Sequence, residues 1–599
     1  MADKILRRED IEEKSKWDLS ALCDGDEGYD KLVNEINALI PNLATYRGKL
    51  GDREEILKFF KENAVIMEKM GRMGCYAMQK LDENSKNSAA VANFGKANGV
   101  YVNYSTATSY VTPEIAALDE NYVKGLIEDK EFSDYDLSLK EALRVKQHTL
   151  SDKEENLLAL GGDVFGQFRE IFGMIDNADL KFGEVKNENG ELVELSHSRY
   201  GLLLGSENRE VRKEAYEQYY SVYKSFINTI AATYIGNVKK DIYLARARGF
   251  DSCLDYATFY ENADKRAYTN LIKNVEKTLP AVHEYISLRK KVMGLDEIRF
   301  YDLYVPLIKN DSLKLPFDEA FELVKKALAP LGEKYVETLQ YAKDHRWIDV
   351  YATEGKRSGA YSVATYGVHP YVLLNYEKTV HDVFTTAHEL GHAMHSYYSN
   401  SAQPLEKADY TIFVAEVAST VNEVLLLRYL INNTEDKEMK KFCLNYFLDM
   451  FRTTLFRQAM FAEFEYVAHD TAEKGTPLTY ELLSDEYEKL NKKYYGKEII
   501  HDDCIKYEWA RIPHFYRSFY VYKYATGITS AVTIAYNILE KGEEAVAKYK
   551  EFLKSGCTQP PVELLKIAGV DLTTDAPFEN AKRVFESTLN ELKELIENE

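Results

Sequence analysis

Two histidines four residues apart, His388 and His392, stand in "TTAHELGHAMHSYYSN" (Thr385–Asn400), with Glu389 directly after the first. In a helix, residues i and i+4 share one face about one turn apart, so both imidazoles can hold one cation. Glu389 is rotated by about 100° from His388, which lets its carboxylate address a water on that cation without being a ligand. This is the mechanical content of an H-E-x-x-H pattern: two metal ligands and a general base for hydrolysis. The competing reading is a solvated polar helix face that happens to be rich in histidine.

Catalytic zinc takes three protein ligands and keeps a fourth position for water. The metzincin pattern, with glycine three residues after the second histidine and a third histidine three further on, is excluded because His395 and Tyr398 occupy those positions. The remaining source is a carboxylate from a following helix. "DYTIFVAEVASTVNEVLLLRYL" (Asp409–Leu430) carries Glu416 and Glu423 seven residues apart, among Phe413, Val414, Val417, Val421, Val424 and Leu425. An unpaired carboxylate in so apolar a segment is costly, and a metal or a metal-ligating histidine removes that cost. The pattern predicts Glu416 as third ligand of one Zn²⁺ per chain and Glu423 as the group that orients a ligating imidazole. An ordinary ion pair of Glu423 with Arg428 or Arg457 is the alternative. His395 is expected to make a supporting or packing contact; the other histidines lack metal-like spacing.

The elements that must carry these residues are mostly helical. Apolar residues recur at three- and four-residue steps in Asp52–Leu81, Asn208–Arg248 and Glu438–Gly475. One region differs. "RWIDVYATEGKRSGAYSVATYGVHPYVLLNYEKTVHDV" (Arg346–Val383) predicts two strands, Ile348–Tyr351 and Tyr371–Asn375, just before the histidine helix. The fold class is therefore mainly α, a large helical body with a small β-sheet beside the H-E-x-x-H helix. "KFGEVKNENGELVELSHS" (Lys181–Ser198) reads as a short hairpin and a seam, giving an N-terminal helical domain over 1–195 and a catalytic domain over 196–599, with site motifs at 357–423 and 511–527.

Composition narrows the partners. The 599 residues are 45% hydrophobic and 29% charged, as in a folded soluble chain. A formal net charge of −21 without a basic stretch argues against nucleic acid and anionic membranes. No run approaches the roughly 18 apolar residues of a membrane span. The charged start "MADKILRREDIEEKSKW" has no apolar leader segment, and the six cysteines form no C-x-x-C pair, so a cytoplasmic location is expected.

"FTTAHELGHAMHSYYS" followed by "FVAEVAST", with 28 residues from His388 to Glu416, resembles the thimet oligopeptidase-like superfamily of zinc metallopeptidases, and among its branches oligoendopeptidase F. "KWDLSAL", "GKRSGAYS", "HPYVLLNY" and "RIPHFYRSFYVYKYATG" match as well, so the resemblance spans nearly the whole chain. It implies a thimet oligopeptidase/neurolysin-like fold with a deep internal channel that admits flexible oligopeptides. It implies hydrolysis of internal peptide bonds, with Glu389 as base. It also implies that a histidine and one or two tyrosines of the C-terminal segment stabilise the oxyanion. His514 and Tyr522 are favoured, with Tyr516 and Tyr520 as further candidates. In "HPYVLLNY", Val372, Leu373, Leu374 and Asn375 are expected to form an edge that pairs with extended substrate. Gly359 would let backbone approach that substrate closely. Two other readings stay open: a carboxypeptidase or dipeptidyl-carboxypeptidase with the same metal chemistry, and a non-catalytic peptide-binding scaffold.

Overall fold

The computed structural model describes residues 6–308 and 314–598. Helices dominate, as the periodicity predicts. The chain opens with α1 (Gly25–Ala44), α2 (Arg53–Glu83) and α3 (Ser88–Thr108). α2 starts where the Asp52 carboxylate accepts the N–H groups of Glu54 and Glu55, and Asn87 caps α3 in the same way. β1 (Glu184–Lys186) and β2 (Leu192–Glu194) form the expected antiparallel hairpin. α4 (Arg209–Ser225) and α5 (Ile227–Ala247) follow, then β3 (Ile298–Arg299). Next come β4 (Ile348–Asp349), β5 (Tyr361–Val363) and β6 (Tyr371–Leu373), the last just ahead of α6 (Val380–Ala402) and α7 (Ile412–Asn433). α8 (Arg457–Glu473), β7 (Ile499–Ile500, parallel to β3) and α9 (Tyr522–Lys541) complete the parts used below.

Two compact units divide the chain. The first comprises Met1–Gln147, Asp311–Leu430 and Ile534–Val570; the second comprises His148–Asn310, Ile431–Thr533 and Asp571–Glu599. The β1–β2 hairpin thus lies inside the second unit rather than at a seam, and the chain returns to each unit more than once. In the first unit one core joins α1–α3 to the sheet: Tyr29, Ile36, Phe60 and Met73 are buried together with Tyr371 and Leu373 of β6. The N-terminal helices and the strands before the histidine helix therefore share a core instead of forming separate domains. In the second unit tyrosine is a core residue. Tyr216, Tyr219, Tyr220 and Tyr223 of α4 are all buried, and Tyr200 stacks on Tyr219 at 3.8 Å between centroids.

The three-stranded sheet has the order β4–β6–β5. β6 pairs in parallel with β4 (Ile348↔Val372) and antiparallel with β5 (Ser362↔Val372). The predicted strands Ile348–Tyr351 and Tyr371–Asn375 are present in shortened form, and β5 was not foreseen, because "AYSVA" sits between glycine-rich turns that mask its alternation.

Candidate active site

α6 begins at a capping box. The Thr379 hydroxyl accepts from the Asp382 N–H at 3.2 Å, and the Asp382 carboxylate accepts the Thr379 N–H at 2.8 Å. The helix then runs without a break through both histidines. α7 crosses it at Gly391. A Cβ there would lie 2.5 Å from the Ser419 Cα and 2.7 Å from the Ala418 carbonyl oxygen, closer than real contacts allow. Only glycine permits this approach, and the approach is what brings the α7 carboxylates to the α6 imidazoles. Asn422 ties the crossing from within, donating its amide to the Ala387 carbonyl at 3.0 Å and accepting from the Tyr335 hydroxyl at 3.3 Å.

Three potential ligand atoms converge at the crossing. His388 Nε2 and His392 Nε2 are 3.2 Å apart, and Glu416 Oε2 lies 3.3 Å and 3.6 Å from them. An ion bound at about 2.0–2.1 Å by a tetrahedral set has ligand–ligand edges of about 3.3–3.4 Å. The observed edges fit that value. His388 donates Nδ1–H to Glu423 Oε1 at 2.5 Å, which leaves the Nε2 lone pair directed at Glu416 and His392. Among the described residues this is the one His/Cys/Asp/Glu group whose ligand atoms are close enough to share a metal ion. The side chains of His388, His392 and Glu416 keep 25%, 17% and 35% of their surface exposed, so the converging face is open to a substrate.

The electrostatics match the geometry. Burial disfavours charge on His388, but its hydrogen bonds with Glu416 and Glu423 outweigh this and push its pKa up to about 10. Burial would raise Glu416, yet His388 and His392 overcome it and hold the carboxylate far below its usual range. A proton and a divalent cation compete for the same lone pairs in such a cluster. Burial pushes the Glu389 carboxyl up, with His388 and His392 pulling the other way. A carboxylate lifted toward neutrality is a better proton acceptor at working pH. His395 does not join the group: it is buried and stacked on Tyr410 at 3.7 Å.

The C-terminal segment, in the second unit, sorts its candidates by exposure. Tyr522 is buried, packs on the Tyr268 ring at 4.9 Å and donates its hydroxyl to Glu261 at 3.2 Å. Tyr516 is buried against Phe172 at 4.5 Å, with its hydroxyl bonded to Thr233 at 2.7 Å. Both serve packing, so the preference for Tyr522 gives way. His514 is exposed and Tyr520 half-buried, with their rings parallel at 6.1 Å. Tyr524, which the sequence reading did not single out, lies edge-on to both, at 6.1 Å from His514 and 5.5 Å from Tyr520. Burial, then Arg457 and Arg517, lower the His514 pKa, favouring a neutral imidazole. The segment is held rigidly. Phe519 adopts φ 57°, and its N–H donates to the buried Glu465 carboxyl at 3.0 Å. The Ser518 hydroxyl donates to Asp241 at 2.6 Å.

The sheet corrects the substrate edge. Val372 and Leu373 lie in the central strand, buried and paired on both sides, and the Leu374 N–H is already given to the Asp349 carbonyl at 2.8 Å. β4 and β5 are the edge strands. Beyond β4 the N-terminal segment is already bonded, with the Val350 N–H given to the Ser15 carbonyl at 3.0 Å and the Asp18 N–H to the Arg346 carbonyl at 2.8 Å, so the edge considered for substrate is β5. Gly359, exposed at φ +84°, lies in the turn that leads into it. Asn375 braces this turn, donating its amide to the carbonyls of Arg357 at 2.9 Å and Gly359 at 2.7 Å.

This helical fold, with a His-His-Glu group at a helix crossing and a buried glutamate one residue from the first histidine, defines a metallopeptidase class. Peptidase family M3 matches residues 202–584, and the oligopeptidase F N-terminal family matches residues 114–182. The chain belongs to peptidase family M3. Oligopeptidase PepF of Bacillus subtilis is 42% identical over 99% of this chain and 89% of its own length. An oligoendopeptidase F homolog of Borreliella burgdorferi is 38% identical over 99% of this chain and 100% of its own. Oligoendopeptidase-F from Enterococcus faecium, a crystal structure, is 34% identical over 96% of this chain and 100% of its own, with a TM-score of 0.74. No helix among the described residues is long and apolar enough to cross a membrane.

Proposed function

We propose that the protein is a zinc-dependent endopeptidase that hydrolyses internal bonds of short, unstructured oligopeptides, in the cytoplasm. The observation that carries this reading is the convergence of the His388, His392 and Glu416 ligand atoms at tetrahedral edge lengths, with Glu389 one residue from the first of them. A divalent ion held there supplies a Lewis acid that polarises the scissile carbonyl and acidifies water.

The chain's own residues do the rest. Glu423 keeps the proton of His388 on Nδ1 and so keeps Nε2 available as a ligand. The Glu389 carboxylate accepts a proton from the attacking water and delivers it to the leaving amine nitrogen. Water is the nucleophile, so no acyl-enzyme forms. The open side of β5 pairs with the substrate main chain and reads it independently of side-chain sequence. His514 and Tyr520 are assigned as donors to the developing oxyanion. That role rests on the match of "RIPHFYRSFYVYKYATG" to the family's C-terminal segment and on their exposure, with Tyr524 beside them. All six cysteines are free thiols, which suits a reducing compartment.

The test is a peptide blocked at both ends and incubated with zinc-loaded protein. Internal cleavage is expected, and it separates an endopeptidase from an enzyme that needs a free substrate C-terminus. Glu389→Gln should retain its metal content while turnover falls about 10²–10⁴-fold. Unchanged turnover in that variant would remove the mechanism.

A further inference from the structure

A cavity of about 960 Å³ in the first unit lies along α6 beyond His392. Its floor is Ser396 and Asn400 of α6, one and two turns beyond His392. Ser362–Tyr366, which includes the last two residues of β5, lines it together with α2, and the two meet where Gly71 of α2 approaches Thr365. The short helical turn Leu405–Ala408 closes one end with Glu406. Four and eight residues of helix place the floor about 6–12 Å from His392. An extended peptide advances about 3.3 Å per residue, so the cavity faces side chains about two to four residues from the bond being cut.

The chemistry of the walls is specific. Glu68, Asp134, Glu406 and Asp409 contribute four carboxylates and Lys61 a single ammonium group. Glu68 is already paired with Arg72 at 3.0 Å. Glu406 is different. One carboxylate oxygen accepts from the Ser138 hydroxyl, while the other, Oε2, is buried without a hydrogen-bond partner. The neighbouring Lys407 does not serve it, because its ammonium group is held by Asp136 at 2.6 Å. Burial pushes the Glu406 carboxyl above its usual range. A buried carboxylate oxygen with nothing to accept costs free energy, and turning the carboxylate toward a charged donor in the cavity relieves that cost. The rings of Phe60, Tyr104, Tyr135, Tyr366 and Tyr410 supply the remaining surface. Carboxylates combined with aromatic faces are the surroundings a guanidinium prefers, since it stacks and donates two hydrogen bonds in one plane.

We infer that this cavity is a side-chain subsite for arginine, placed two to four residues from the scissile bond, with Glu406 as its specificity determinant and Asp409 as a second carboxylate. The inference rests on the endopeptidase reading above and names a substrate preference that this reading leaves open.

Doubly blocked peptides carrying one arginine, walked from four residues before to four residues after the cleaved bond, test it. Each is paired with a twin in which citrulline, the neutral isostere, replaces arginine. The wild-type protein should show a kcat/KM ratio of about 10–100 for arginine over citrulline at one position, the size of one charge-assisted hydrogen bond. In Glu406→Gln that ratio should fall toward one at the same position. Asp409→Asn, on an exposed side chain, should lower it less, and this variant decides the matter if Glu406→Gln does not fold by circular dichroism. A ratio near one at every position in the wild type overturns the subsite, and so does a ratio untouched in both folded variants. Cleavage of no peptide at all is a different result: it overturns the endopeptidase reading, and the subsite with it.

Discussion

Two charge clusters, one in each unit, each gather a glutamate with its basic partners and differ in exposure and in where their lone pairs point. In the second unit Glu508 accepts from Arg457 at 2.5 Å, from Arg511 at 3.0 Å and from the Tyr487 hydroxyl at 2.6 Å. Every oxygen of that carboxylate has a protein donor, and the two arginines overcome burial to depress its pKa to about 2. In the first unit the cluster closes only through a proton held between the imidazoles and the carboxylate. The Nε2 atoms of His388 and His392 and a Glu416 oxygen converge on a common point within 3.2–3.6 Å of one another, where a divalent cation competes for the same lone pairs. Burial and charge alone do not mark a functional site. Residual valence directed at one place does.

That contrast can be broken, beginning with the largest effect. Removing one partner from a closed buried ion cluster strands the others, so Glu508→Ala should destabilise the protein by about 3–5 kcal/mol in denaturant titrations. Glu416→Ala, on a side chain that keeps 35% of its surface exposed and assayed in chelator, should destabilise the protein by less than Glu508→Ala, while abolishing zinc retention. Equal losses in the two variants would erase the distinction. The closed cluster also predicts a pH response. The folded pKa of Glu508 lies near 2, below the ordinary glutamate value of 4.5, so its stabilisation is full above about pH 4.5 and is lost as pH falls toward 2. The wild type should therefore lose up to about 3 kcal/mol more than Glu508→Gln across that interval.

Smaller effects sharpen the open cluster. Gly391→Ala forces a methyl group against the Ser419 backbone and should cost about 1–3 kcal/mol. Zinc affinity should fall with it, because α6 and α7 must separate; unchanged affinity in a competition titration would show that the crossing does not set the site. Glu423→Gln keeps the side-chain shape but weakens the anchor on His388 Nδ1. It should reduce zinc affinity about 10–100-fold with little change in fold.

The sequence by itself determined the local chemistry. The i, i+4 histidines, the adjacent glutamate and the acids of an apolar helix are read directly, because helical period fixes which side chains share a face. Family resemblance added the C-terminal segment, but its tyrosines could not be ranked from pattern alone. Tyr516 and Tyr522 turn inward while Tyr520 and Tyr524 stay half-exposed, a choice made by the turn at Phe519 and its buried partner Glu465. Strand pairing was also beyond a linear reading. β6 is the more hydrophobic strand and reads from the sequence as the substrate edge, yet its hydrophobicity is the reason it occupies the centre of the sheet, with β4 and β5 at the edges. Likewise Gly391 reads as an ordinary helical glycine until α7 is laid across it. Periodicity along one helix specifies faces; which faces meet, and at what distance, is settled only by packing between elements far apart in the chain.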